Sequence, residues 1–216
     1  MSNPSVLFVH GSFLSGWCWL PVMERLEQRR IESYAVELPF TSLDDEVRIV
    51  REAIDELGPV TVVCHSYSGI VAALAAHRAG HIVHVAARLP AVGESPKSIT
   101  ASWNSPGFRD SIESTPNGAF LRPDAAKWLF NRSPVSLAVA AMQRQRPFSS
   151  VIPTEPIADP AWTTVESTYV VCTDDLTVNV DQQRIRAGWV KRHVEIDCDH
   201  SPFFSAPDEL AEVIAS

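Results

Sequence analysis

Three residue types needed for nucleophilic catalysis occur in the order Ser, Asp, His. Ser66 lies in "VVCHSYSGIVA", where the apolar run Val60, Val62, Val63 passes through Cys64, His65, Ser66, Tyr67, Ser68 and Gly69 into a second run from Ile70. A serine hydroxyl is a weak nucleophile until a base within hydrogen-bond reach takes its proton. His200, in "CDHSPFF", can be that base, and a carboxylate must then fix its tautomer. Asp174 and Asp175, adjacent in "VVCTDDLT", both qualify, and the spacing leaves the choice open. The oxyanion formed on attack needs two N–H donors. Tyr67 can give one, and Ser12, after the tight His10-Gly11 turn, the other. The plain alternative for Ser66 is a helix cap, a role that serine favours. His65 is read as structural, His10 as a brace for the glycine turn, Cys64 as a small packing residue, and Asp199 as too far along the chain to be the default acid.

Those residues need a scaffold that brings distant segments together. Six apolar runs read as strands: Ser5 to His10, Tyr34 to Leu38, Val60 to Cys64, Ile82 to Ala87, Thr168 to Thr173 and His193 to Asp197. Most are continuous in Val, Ile and Leu, as in parallel strands buried on both faces. Helical spacing falls at Trp19 to Arg30, Asp44 to Leu57, Asp181 to Val190 and Asp208 to Ala215. Alternating strand and helix predicts an α/β fold with a mostly parallel sheet of about six strands. Ligands of such sheets bind beyond the carboxyl ends of the strands. There the chain carries His10 to Phe13, Ser66, Asp174 with Asp175, and His200. From Pro96 to Trp162 the rhythm breaks. No strand is read there, only helices near Pro123 to Phe130 and Ser136 to Arg144. The expected organisation is a core of residues 1–95 and 163–216 with a helical lid, 96–162, inserted in it.

Composition narrows the function. The 216 residues carry a formal net charge of -8, which argues against nucleic acid as a partner. The start lacks a secretion signal, and no run approaches the roughly 20 apolar residues of a membrane span. Cys18, Cys64, Cys172 and Cys198 are scattered, so a disulfide framework is not expected and a cytoplasmic location is. Cys198 with His200 lacks a second ligand pair, so no metal is expected.

The stretches "FVHGSFLSGWCW", "VVCHSYSGIVA", "HVAARLPAVGES", "YVVCTDDLTVNVDQQR" and "DHSPFFSAPDELAEVI" together resemble the α/β-hydrolase superfamily, in the group of plant methyl-salicylate esterases and hydroxynitrile lyases. The resemblance spans nearly the whole chain, and "DAAKWLFN" and "QRQRPFSS" are similar to that group's lid. It implies an α/β-hydrolase fold, Ser66 as nucleophile, His200 as base and Asp175 as acid, with no cofactor. The nucleophile motif G-x-S-x-G is altered: Cys64 and Ser68 replace its glycines, and Gly69 follows. The lyases carry Thr at the position of Gly11 and Lys at that of Ser201, so the resemblance implies an esterase. The expected reaction is cleavage of a small, mainly apolar or aromatic carboxylic ester through an acyl-enzyme. A lyase or cyclase on the same triad, and a non-catalytic small-molecule-binding protein, are the alternatives. The expected partner is a small-molecule substrate, without membrane association, and a homodimer is left open.

Phe13, Trp103, Trp128, Leu129 and Phe130 are the candidate pocket walls. Arg88 is a further candidate at the end of the fourth strand, where the resembled group carries an aromatic or aliphatic residue. A buried guanidinium must meet water, an acidic partner such as Glu94 or a lid carboxylate, or the substrate, with Arg132 as a second donor.

Overall fold

The protein is described here by a computed structural model covering residues 4–216. Six strands form one parallel sheet: β1 (Val6–Val9), β2 (Ser33–Val36), β3 (Thr61–His65), β4 (His81–Val85), then, beyond a small hairpin of β5 (Ile112–Thr115) and β6 (Gly118–Leu121), β7 (Ser167–Cys172) and β8 (Arg192–Ile196). The order across the sheet is β2-β1-β3-β4-β7-β8. All contacts between these neighbours are parallel.

Sequence explains the order. "VLFV", "TVVCH" and "STYVVC" are buried throughout and occupy inner positions, whereas "SYAV" and "RHVEI" keep exposed residues and form the edges. Side chains alternate across the sheet. Val6 and Phe8 join one core layer with Val22, Leu26 and Leu210. Leu7 and Val9 join the other with Val47, Val50, Ile54 and Ile70. The first layer is covered by α1 (Leu20–Gln28) and, at the end of the chain, α10 (Pro207–Ala215). The second is covered by α2 (Leu43–Leu57) and α3 (Ser68–Ala75). Ser42 caps α2 by accepting the Asp45 N–H at 3.1 Å, Asp44 to Glu46 meet the positive end of its dipole, and Gly58 ends it at φ 78°. Burying Val50 or Ile54 contributes about 1.5–3 kcal/mol each.

Between β4 and β7 lie α4 (Pro96–Trp103), α5 (Pro106–Asp110), the β5–β6 hairpin, α6 (Ala126–Leu129) and α7 (Val135–Gln143). After β7 come α8 (Val180–Ala187) and, beyond β8, α9 (Pro202–Ser205). The hairpin corrects the expectation that this insertion is strand-free. Its turn, Pro116-Asn117, leads into Gly118 at φ 112°, and its strands, of four residues each, are too short for periodicity to reveal. The starts of α4 and α5 are Ser-Pro pairs, with Ser95 and Ser105 accepting the Ser98 and Phe108 N–H groups.

The chain leaves β1 toward β2 on one side and returns to β3 on the other. The loops after β1 and β3 therefore flank the point where the winding reverses, which opens a crevice. After β3 the chain turns at Ser66 (φ 54°) directly into α3. The close approach falls on Gly69, where a Cβ would sit 2.6 Å from the Arg88 carbonyl oxygen and 2.9 Å from its nitrogen. Gly69→Ala is therefore expected to cost about 1–3 kcal/mol through overpacking. In a domain of this size that lowers Tm by several degrees. A melting curve unchanged by the substitution would show that the elbow does not depend on this contact.

Candidate active site

Ser66, Asp175 and His200 come from the ends of three strands and meet below the surface. Their relative exposures are 6, 6 and 1%. His200 Nε2 lies 3.1 Å from Ser66 Oγ, and Nδ1 lies 2.6 Å from Asp175 Oδ2. Because the carboxylate only accepts, Nδ1 carries the proton and Nε2 presents its lone pair to the serine hydroxyl. Asp175 is held from every side. Its Oδ1 accepts the Thr177 and Val178 N–H groups at 2.8 and 2.9 Å, and its Oδ2 also accepts Gln183 Nε2 at 2.8 Å. Asp174 turns outward to Asn131 and Arg132 of the insertion, so geometry places Asp175, not its neighbour, against the imidazole.

The elbow is kept in shape without the usual glycines. Ser68 Oγ accepts the His65 N–H and donates to the Val9 carbonyl, both at 2.8 Å, tying the start of α3 to β1. Cys64 is fully buried, its Sγ 3.3 Å from His84 Nδ1. The Ser66 N–H donates to Val85 O, and its carbonyl accepts the N–H groups of Gly69 and Arg88. On the facing loop, His10 donates from Nδ1 to Gly11 O and accepts the Leu38 N–H at Nε2, which makes it the expected brace. The Ser12 and Tyr67 amides make no hydrogen bond within the described residues. His65 Nε2 donates to the His200 carbonyl at 2.8 Å, and burial, with His200 alongside, holds its pKa far below the usual value. Neutral His65 then faces Gly11, where a Cβ would lie 2.8 Å from Nδ1.

The chain matches the model of the alpha/beta hydrolase family over residues 6–213. It belongs to that family. Methylesterase 7 of Arabidopsis thaliana is 32% identical, the match covering 96% of this chain and 94% of the relative. Methylesterase 9 of the same plant is 28% identical over 95 and 94%. Among solved structures, polyneuridine aldehyde esterase superposes with a TM-score of 0.81 at 18% identity, covering 98% of both chains. A pyrethroid hydrolase from Sphingobium faniae JZ-2 gives 0.76 at 20%, covering 98% of this chain and 95% of its own. At such identities the structures speak for the fold. The relatives place this hydrolase on the esterase side of the family.

The remaining candidates of the hydrolase divide. Phe13, Leu129 and Phe130 share one apolar cluster. Trp128 is partly buried and lies against Gly107, where a Cβ would meet its ring at 2.3 Å. Trp103 departs from the expected wall. It is fully buried with Ile99 and Val178, under the Arg186 guanidinium, and has no free face to offer a ligand. Glu94 pairs with Arg186 at 2.7 Å, not with Arg88. Arg132 is spent on Asp197 and Asp174 and is not a second donor beside Arg88. The Arg88 side chain is buried and, among the described residues, hydrogen-bonds only to the neutral Thr100 and Asn104.

Three residues escape sequence reasoning. Gln183 bridges Asp175 to the Cys172 amide. Phe148 packs against Phe13, Phe40 and Tyr67. Glu46, fully buried, accepts the hydroxyls of Tyr67 and Ser150, each at 2.5 Å. Only Gln183 had a signal, its place eight positions beyond Asp175 at the start of a helix that must pack on β7.

Burial raises the Glu46 carboxyl above its ordinary value, and the two hydroxyl donors offset part of the rise. A raised folded pKa means that this group's contribution is full below about pH 4 and is lost as pH climbs through the raised value. Glu46→Gln removes the ionisation. The Tm difference, variant minus wild type, is therefore expected to be more positive at pH 8 than at pH 5. Equal differences at the two pH values would refute a raised carboxyl.

Proposed function

We propose that this hydrolase is a cofactor-free serine carboxylesterase acting on a small, mainly apolar or aromatic ester. The observation that carries the reading is the continuous set Ser66 Oγ, His200 Nε2, His200 Nδ1 and Asp175, with the Ser12 and Tyr67 amides unengaged among the described residues. Ser66 Oγ attacks the ester carbonyl while its proton passes to His200 Nε2. The oxyanion is received by the Ser12 and Tyr67 N–H groups. Collapse breaks the C–O bond, and the alcohol leaves with the proton from His200. Water then repeats the sequence on the acyl-serine, giving the acid and free Ser66. Asp175 holds the imidazole and balances its transient charge.

Phe13, Leu129 and Phe130 supply the apolar wall, with the insertion acting as a lid. The names of the Arabidopsis relatives make methyl esters the first substrates to try. The close approach of His65 to Gly11 supports hydrolysis over the lyase reading, since a threonine at position 11 would strike that ring.

Two measurements test this. Ser66→Ala should keep its fold and lose on the order of 10⁶ in kcat, as when a triad nucleophile is removed. Near-normal turnover by the purified variant would end the reading. Asp175→Asn should cost about 10⁴ in kcat by favouring the wrong imidazole tautomer. Asp174→Asn should cost far less, and a reversed ranking would reject Asp175 as the acid.

A further inference from the structure

The side chain of Arg88 is the one feature near the elbow whose chemistry the ester reaction leaves unused. Its backbone is part of the elbow, because the Arg88 N–H donates to the Ser66 carbonyl at 2.9 Å. The side chain is 5% exposed and lies between the elbow and the first helix of the insertion. Its guanidinium carbon sits 6.0 Å from the ring centroid of Tyr67, the residue after the nucleophile. Nη1 donates to Thr100 Oγ1 at 3.3 Å and Nη2 to Asn104 Oδ1 at 3.1 Å, both neutral acceptors. Nε is buried with no partner.

No carboxylate answers this charge among the described residues. Glu94 is committed to Arg186, and Glu46 is turned to the hydroxyls of Tyr67 and Ser150. Burial pushes the Arg88 pKa down to about 10, so the group is still a cation at neutral pH. An unpaired buried charge is costly, and a fold that needed only a strap between elbow and insertion would be served by a neutral side chain. Arginine instead offers a planar fork suited to a carboxylate.

The geometry points to Arg88 as an anion subsite beside the nucleophile, which makes the preferred substrate an ester that also carries a carboxylate a few carbons from the scissile bond. This rests on the ester-hydrolase reading for the bond that is cleaved. It refines the apolar substrate class to one with an apolar body and a single anionic end.

The test compares monomethyl glutarate with methyl pentanoate, similar in length and differing in the terminal charge. The wild type should show the higher kcat/KM on monomethyl glutarate. Arg88→Met should lower the ratio of the two kcat/KM values by about 10- to 100-fold, the range for a lost charge-assisted bond, mainly through KM. Arg88→Lys should keep part of the ratio. A wild type that cleaves these esters without preference for the charged one, or a ratio unchanged in Arg88→Met, overturns the proposal. Binding is read separately by titrating monomethyl glutarate into Ser66→Ala. Uptake that weakens with salt and vanishes when Arg88→Met is added supports the subsite, and no uptake refutes it. If that binding is seen but the wild type cleaves neither ester, the hydrolase reading fails and the subsite stands. If methyl pentanoate is cleaved with no preference, the subsite alone fails.

Discussion

Ser66 holds a backbone conformation that a non-glycine residue enters only at a cost of about 1 kcal/mol or more, at φ 54°. The rest of the architecture keeps it there. Its amide is engaged by Val85 at the end of β4 and its carbonyl by Arg88 just beyond. Ser68 fastens the next turn to β1, and Gly69 lets α3 press onto Arg88. Three adjacent strands thus over-determine one residue, and its hydroxyl meets His200 Nε2 at 3.1 Å. The positive φ also removes Ser66 from an ordinary capping geometry, which is extended. The cap position of α3 belongs to Tyr67, which makes no side-chain cap bond.

The insertion is bound to the same loops that carry Asp175 and His200. Thr177 donates to the Trp128 carbonyl, Ser105 to the Leu176 carbonyl, and Asn131 to Asp174. On the histidine loop, Asp199 is fully buried and accepts from the Arg132 amide, Ser133, the Ser201 amide and Ser205. A carboxylate with four donors is well satisfied in the interior. Asp199 therefore joins the insertion to the residue next to His200 without competing for its imidazole. Any displacement of the insertion strains these bonds, so the placing of the insertion and the ordering of the Asp175 and His200 loops are linked.

Around Tyr67 the polar interior is unbalanced in a different way. A buried carboxyl, Glu46, holds its hydroxyl on one side, and a buried guanidinium, Arg88, approaches its ring. Their charges do not neutralise each other by contact. The hydroxyl hydrogen bonds spread the Glu46 charge toward Ser150, and the ring face offers Arg88 a weak quadrupole attraction of about 0.5–2 kcal/mol. Both groups hold the side chain of the residue that follows Ser66.

Much was determined by sequence alone, and for local reasons. Continuous apolar runs place the inner strands to within a residue or two, because burial on both faces allows no polar alternation. Ser66, Asp175 and His200 were legible as a group because parallel strands put all their carboxyl ends on one edge. Other features depended on partners far along the chain. Trp103 reads the same whether it faces a ligand or the core, and only the packing of α4 on Val178 decided for the core. Arg88 and Glu94, close in sequence, were natural partners until Arg186, 92 positions from Glu94, took the carboxylate. Glu46 looked like a first-turn acid of α2 and proved to hold Tyr67, because the acid's reach inward depends on how α2 lies over the sheet. Periodicity and spacing report what each segment must bury. Which charges meet is set by the tertiary structure, since electrostatic partners are chosen by distance in space and carry no local pattern.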